Sequence, residues 1–298
     1  MKWIIIILAV ITVLLFAVGF RMADTTMSIK PQTLEEAREW QQEHGDISWY
    51  DNVEKTDYTV SSYDGYVLHV QLISNPEKSS KYVLISHGYT DNRIGSLKYA
   101  DIYLDLGFNV IVYDLRGHGL NEKTYCSYSV REAKDLNALI EDSRERYPDA
   151  DVFGLHGESL GAATSISCLQ YKPDVDFVVS DCGFSDISGV LKGGLKMMHM
   201  PRFLVDVAGI CAGIKYGIPF SQMKPIEALK ENEIPILFMH GAVDRFIKPE
   251  NSEEMQKATI GYSELHLIKD ADHALSVLTD HESYEEFVKE FLKTLNLL

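Results

Sequence analysis

What this 298-residue sequence lacks narrows it first. It has four cysteines, Cys126, Cys168, Cys182 and Cys211, with no Cys-x-x-Cys pair and no spacing typical of a zinc site. Cys168 and Cys182 sit in apolar runs and read as small buried hydrophobes. The count alone leaves a disulfide, and hence the redox compartment, open. Basic residues are also short: 28 Lys and Arg stand against 44 Asp and Glu, a net charge of −16. Phosphate-backbone binding depends on clustered cations, so no nucleic-acid partner is expected. No repeat and no low-complexity tract occurs, which excludes a solenoid or propeller. Charge runs that would signal bulk disorder are missing too, and 46% hydrophobic residues suffice for one large core.

What is present begins at the N-terminus. Residues 3–20 are apolar without one charge, between Lys2 and Arg21. At about 1.5 Å per residue such a run nearly crosses a hydrocarbon layer of about 30 Å. A soluble core helix of this composition would be unusual, so residues 1–22 are expected to be a transmembrane or signal-anchor segment. Ala17-Val18-Gly19 carries the small residues a signal peptidase needs, but the run is longer than most cleaved signals, which favours an uncleaved anchor. Cations flank both ends, and long domains translocate largely regardless of such counts. The expectation is a single-pass anchor in the cell membrane with an extracellular catalytic domain.

Residues 23–55 read as a linker and a surface helix, the latter opened by the capping box Thr33-Leu34-Glu35-Glu36. From residue 56 the hydrophobic period becomes two, and Asp64-Gly65 between alternating runs predicts a hairpin. Short apolar strands then alternate with helices: strands at 82–86, 109–113, 152–155, 177–180, 236–239 and 265–268, helices at 96–106, 130–147, 160–169 and 284–295. Fully apolar strands between helices imply a parallel sheet covered on both faces, doubly wound by right-handed crossovers. Residues 186–225 break the alternation with a Met-rich helical pattern. They read either as extra packing at the domain edge or as a small cap over a pocket, the latter favoured by their place after the sixth strand. A cap so small suggests short to medium acyl substrates.

The chemistry centres on Gly157-Glu158-Ser159-Leu160-Gly161, which has a strand pattern before it and a helix pattern after it. A serine on so tight a turn needs small neighbours, and the two glycines supply them. Its hydroxyl is a weak nucleophile until a base takes its proton. His273 lies in a polar loop between the last strand and the last helix. A carboxylate must fix the histidine's tautomer, and Asp244, in the loop after the strand at 236–239, is well placed. Asp181 is the rival acid; Asp270 and Asp272 read as solvated charges. Donors for a developing oxyanion are expected from the backbone N–H groups of Leu160 and Tyr89.

His87-Gly88, Asp114-Leu115-Arg116-Gly117-His118-Gly119, the Ser159 pentapeptide, His240-Gly241-Ala242-Val243-Asp244 and Asp272-His273 together resemble the α/β-hydrolase superfamily, more narrowly its prolyl-oligopeptidase-like and BEM46-like branch. The resemblance implies an α/β-hydrolase fold, with a doubly wound, mostly parallel eight-stranded sheet over about 56–298 and a cap at about 186–225. It implies a serine hydrolase acting on a small-molecule ester or related acyl bond through Ser159, Asp244 and His273, with no metal and no organic cofactor. Arg116 and His118 are scaffold in such relatives, and Glu158 departs from the histidine often found before the nucleophile. A peptidase, an acyltransferase, or a membrane-anchored binding protein that lost catalysis are the alternatives.

Overall fold

The computed structural model describes residues 1–298. Eight strands form one sheet: β1 (Lys55–Ser61), β2 (Val67–Ile73), β3 (Lys81–Ser86), β4 (Asn109–Tyr113), β5 (Val152–Glu158), β6 (Phe177–Asp181), β7 (Ile236–Gly241) and β8 (Ser263–Ile268). Their spatial order is β1-β2-β4-β3-β5-β6-β7-β8. The hairpin β1–β2 is antiparallel and β2 runs antiparallel to β4; β3 to β8 are all parallel.

Ten helices complete the chain: α1 (Lys2–Met27), α2 (Leu34–His44), α3 (Leu97–Asp105), α4 (Val130–Arg146), α5 (Leu160–Cys168), α6 (Ile187–Met197), α7 (Phe203–Tyr216), α8 (Glu250–Ala258), α9 (Ser276–Thr279) and α10 (His281–Thr294). The central strands are buried on both faces, and their alternate side chains feed two cores. Leu84, Ile111, Leu155, Val178 and Phe238 join α4, α5 and the α6–α7 insertion. Val83, Val110, Val179, Leu237 and Met239 join α3 and α10 on the other face. The period of two thus divides one run of hydrophobes between two layers. This is the α/β-hydrolase fold expected from the sequence, with an eight-stranded, mostly parallel sheet.

The expected break at residue 22 is not where the chain turns. Helix α1 continues to Met27, because Gly19, Ala23 and Met27 pack on the domain at successive turns, chiefly against α7. Nor is the next stretch a free linker. The Gln32 N–H donates to the Thr90 carbonyl at 2.8 Å, Asn92 Nδ2 donates to the Gln32 and Thr33 carbonyls, and the Cys126 N–H donates to that of Met27. Helix α2 carries the expected capping box. Helices α8 and α9 are not legible as helices in the sequence: α9 has four residues, and α8 buries only Ser252 and Met255, too few to mark a helical period.

Candidate active site

Between β5 and α5 a single residue, Ser159, turns the chain from strand to helix. Its backbone is at φ 51° and ψ −108°, a region that costs a residue with a side chain about 1–3 kcal/mol. Two close approaches hold it there. A methyl on Gly157 would lie 2.3 Å from the Gly161 carbonyl oxygen, and one on Gly161 would lie 2.0 Å from that of Ser86. The Ser159 N–H donates to the Asp181 carbonyl at 2.8 Å, pinning the turn to the neighbouring strand.

Three loops at the carboxyl ends of parallel strands meet at this turn, the place where open α/β sheets assemble their sites. Ser159 Oγ lies 2.9 Å from His273 Nε2, after β8, and His273 Nδ1 lies 2.7 Å from Asp244 Oδ2, after β7. Asp244 is buried. Its Oδ1 accepts from the N–H groups of Phe246 (2.8 Å) and Ile247 (2.9 Å), which leaves Oδ2 for the histidine. Burial raises the Asp244 pKa, but hydrogen bonds with His240 and His273 outweigh that and hold it at about 2. The carboxylate is therefore charged at neutral pH. Phe246 packs edge-on against the His273 ring, with centroids 5.0 Å apart.

The rival acids are engaged elsewhere. Asp181 accepts from Tyr99 Oη at 3.0 Å and Ser276 Oγ at 3.2 Å. Asp272 accepts from the His273 N–H at 2.8 Å and the Arg245 N–H at 3.3 Å, and so shapes the loop. His87 is buried, which drives its pKa well below the ordinary value, and its Nε2 accepts from the Leu115 N–H at 2.9 Å. His118 Nε2 donates to the Tyr89 carbonyl at 2.5 Å, while Arg116 turns away to Asp64 and Asp135.

Leu160 is the first residue of α5, so its N–H belongs to the helix start, where donors have no acceptor within the helix. Tyr89 follows β3 and lines the Ser159 cavity. Its hydroxyl donates to the Ser28 carbonyl at 2.7 Å, tying this loop to the segment after α1. Gly88 borders the nucleophile turn: a methyl there would lie 2.9 Å from Glu158 Oε1 and 3.8 Å from Ser159 Cβ.

The cavity at Ser159 has a volume of about 360 Å³. Its walls include residues the sequence did not reveal: Gln32, Trp40, Asp91, Lys98 and Phe246. Trp40 was the available signal, a large aromatic in an otherwise polar helix. Glu158 is explained by Lys98. The two form a buried ion pair, and Glu158 Oε2 also accepts from Tyr99 Oη at 2.7 Å. Burial lowers the Lys98 pKa, yet Glu158 outweighs burial and holds the amine above its ordinary value. Asp91 shares this environment; burial, then the charge of Glu158, raises its pKa to about 6.

Residues 77–198 match a family model described as serine aminopeptidase, S33. The chain is 28% identical over 302 residues to the uncharacterized protein YqkD of Bacillus subtilis (strain 168), covering 99% of each. Among solved structures, the Pyrococcus furiosus esterase Pf2001 superposes with a TM-score of 0.72 at 23% identity, over 90% of this chain and 98% of that one. The Pyrococcus horikoshii acylaminoacyl peptidase gives 0.62 at 16% identity, over 81% of this chain and 41% of that one. The arrangement of strands, turn and loops, and these neighbours, agree on one statement: the chain has the α/β-hydrolase fold.

Proposed function

We propose that this protein is a membrane-anchored serine hydrolase that cleaves a carboxylic ester or related acyl bond. The observation that carries the reading is the unbroken relay Ser159 Oγ–His273 Nε2 (2.9 Å) and His273 Nδ1–Asp244 Oδ2 (2.7 Å), built on a strained strand-to-helix turn. His273 Nε2 takes the Ser159 proton as Oγ bonds to the substrate carbonyl carbon. The carbonyl electron pair moves onto oxygen, which is held by the N–H groups of Tyr89 and Leu160. Asp244, ionised at neutral pH, stabilises the imidazolium. His273 then protonates the leaving oxygen as the C–O bond breaks, leaving an acyl-enzyme. Water, deprotonated by the same histidine, attacks that acyl carbon; His273 returns the proton to Ser159 and the acid leaves. No step calls for a metal ion or an organic cofactor.

A second reading, an aminopeptidase, is favoured by Asp91 and Glu158, whose carboxylates border the Ser159 cavity where a substrate amine would lie. Against it, Lys98 already pairs with Glu158, and Asp91 is buried beside that pair. The ester reading is preferred on that balance. In both readings α1 anchors the protein through residues 3–20 as a single span of the cell membrane, with the catalytic domain extracellular. Residues 56–298 are the hydrolase domain; residues 186–225, expected as a cap, border the α6–α8 cleft and not the Ser159 cavity itself.

The test is fluorophosphonate labelling of the folded protein, followed by a screen of esters and of amides with free amino termini. Labelling that disappears in Ser159→Ala, with ester turnover above amide turnover, is the expected result. Equal labelling of Ser159→Ala would sink the assignment, and faster cleavage of amides with free amino termini would select the second reading.

A further inference from the structure

The α6–α7 insertion presents an unusual surface. Met197, Met198, Met200, Phe203, Ile210 and Ile214 are 38–68% exposed, clustered within eighteen positions of the chain. At 100° per residue Phe203, Ile210 and Ile214 fall on one face of α7, next to the face that meets α1. The charge here is also out of character. Of the five cations across 186–225, Lys192, Lys215 and Lys224 pair with Asp206, Asp24 and Asp186, which leaves Lys196 and Arg202 uncompensated within a chain of net charge −16.

How α1 lies on α7 fixes where this surface sits. Gly19 approaches Val207 and Cys211, and further along Asp24 pairs with Lys215 and Tyr216, so the two helices run in the same direction. Phe203 is eight positions before Cys211, and eight before Gly19 is Ile11. With equal helical rise, Phe203 and the α6–α7 turn lie beside the middle of the apolar run. Only residues 3–14 of that run lie before the first partly buried position, Leu15, roughly 18 Å of helix at about 1.5 Å per residue, too short to cross a bilayer. An anchor that crosses must therefore carry the start of α7 into lipid with it.

A cleft leads inward from the same surface. Between α6 and α8 lies an opening of about 1070 Å³, against about 360 Å³ at Ser159, with Met197 and Met198 on its wall. On α6, Gly189, Gly193 and Gly194 line it, and a methyl added at any of them would meet nothing within 4 Å. Phe246 borders both spaces and packs against His273.

We propose that the exposed face of α6–α7 lies against an anionic lipid surface beside α1, so that the α6–α8 cleft opens to the bilayer and an amphiphilic acyl ester enters from it. Apolar side chains would sit among the acyl chains, and Lys196 and Arg202 would extend along the protein surface towards the headgroups. The lipid surface, rather than a second copy, is selected by the excess of cations on this patch and by its continuity with the anchor helix. Entry through this cleft would admit a longer acyl chain than the cap's length suggests. The ester part of the proposal rests on the serine-hydrolase reading, the lipid contact only on the reading of α1 as an anchor.

The experiment uses the full chain in vesicles of phosphatidylcholine and phosphatidylglycerol. An environment-sensitive fluorophore is attached at Met198→Cys, Phe203→Cys or Ile214→Cys, and at Ile260→Cys, an exposed site at the opposite end of the sheet. The native cysteines are buried, and wild type treated with the same reagent gives the baseline. Lipids carrying a quencher on the acyl chain should remove most of the emission at 198, 203 and 214 and little at 260. Equal quenching at all four positions, or cross-linking between copies at 203 without quenching, overturns the lipid contact. The double variant Phe203→Glu with Ile210→Glu, two exposed positions of α7 that line neither cavity, should cut hydrolysis of a vesicle-embedded ester about tenfold or more, because carboxylates are strongly disfavoured in lipid, with a water-soluble ester within about twofold. An equal loss on both esters overturns entry from the bilayer. Quenching as expected with no ester turned over by wild type refutes the hydrolase reading and leaves the lipid contact standing.

Discussion

Replacing Asp244 by asparagine separates the proposed relay from its rivals. Oδ1 of the new side chain can still accept from the Phe246 and Ile247 N–H groups, so the loop should keep its shape. Where Oδ2 now receives His273 Nδ1 at 2.7 Å, an amide NH2 would face it, donor against donor. The histidine then turns to the tautomer with its proton on Nε2, and Ser159 Oγ meets a donor where it needs a base. In a Ser-His-Asp arrangement this loss amounts to about 10⁴-fold in kcat, or ~5.5 kcal/mol of transition-state stabilisation. The assay is hydrolysis of a chromogenic ester, with circular dichroism melting to show that both variants fold. Asp181→Asn is the comparison. Asp181 also ends a strand near the nucleophile, but its carboxylate meets Tyr99 and Ser276 rather than His273. Its substitution should cost less than about tenfold, the range of an indirect positioning effect. Asp244→Asn with more than a tenth of wild-type activity, or an equal collapse in Asp181→Asn, refutes the reasoning.

Two further outcomes follow from the same geometry. Gly161→Ala places a methyl 2.0 Å from the Ser86 carbonyl oxygen, a backbone atom that cannot swing aside; destabilisation of about 3 kcal/mol or more is expected in a urea melt, with loss of fluorophosphonate labelling. Asp91 has its pKa raised to about 6 from 3.8, so the folded protein holds this proton more firmly than the unfolded chain. Stability therefore falls as pH rises from about 4 to 6, by up to about 3 kcal/mol from this group. Asp91→Asn should melt higher than wild type at pH 7 with a shallower decline over that window, not a flat one, because burial raises Asp181 to about 6 as well. A decline as steep as that of wild type would refute the argument.

The sequence by itself determined the sheet and the order of the candidate residues. Buried parallel strands must be nearly all apolar, so 109–113 and 152–155 announce themselves, and Asp64-Gly65 closes a hairpin almost whatever surrounds it. Ser159 was legible because a strand, two glycines and a helix leave the chain no other way to turn. Only the tertiary structure shows which of Asp244 and Asp181 meets His273, because both follow strands in similar sequence and the contact depends on which carboxylate the loop aims at the imidazole. It alone disclosed Lys98 as the partner of Glu158, sixty positions away, since a buried ion pair leaves no local pattern. It also ties residues 23–33, expected as a linker, to the domain, with Gln32 on the wall of the Ser159 cavity. Their backbone bonds go to Thr90, Asn92 and Cys126, partners that periodicity cannot name because they adjoin in space and not along the chain.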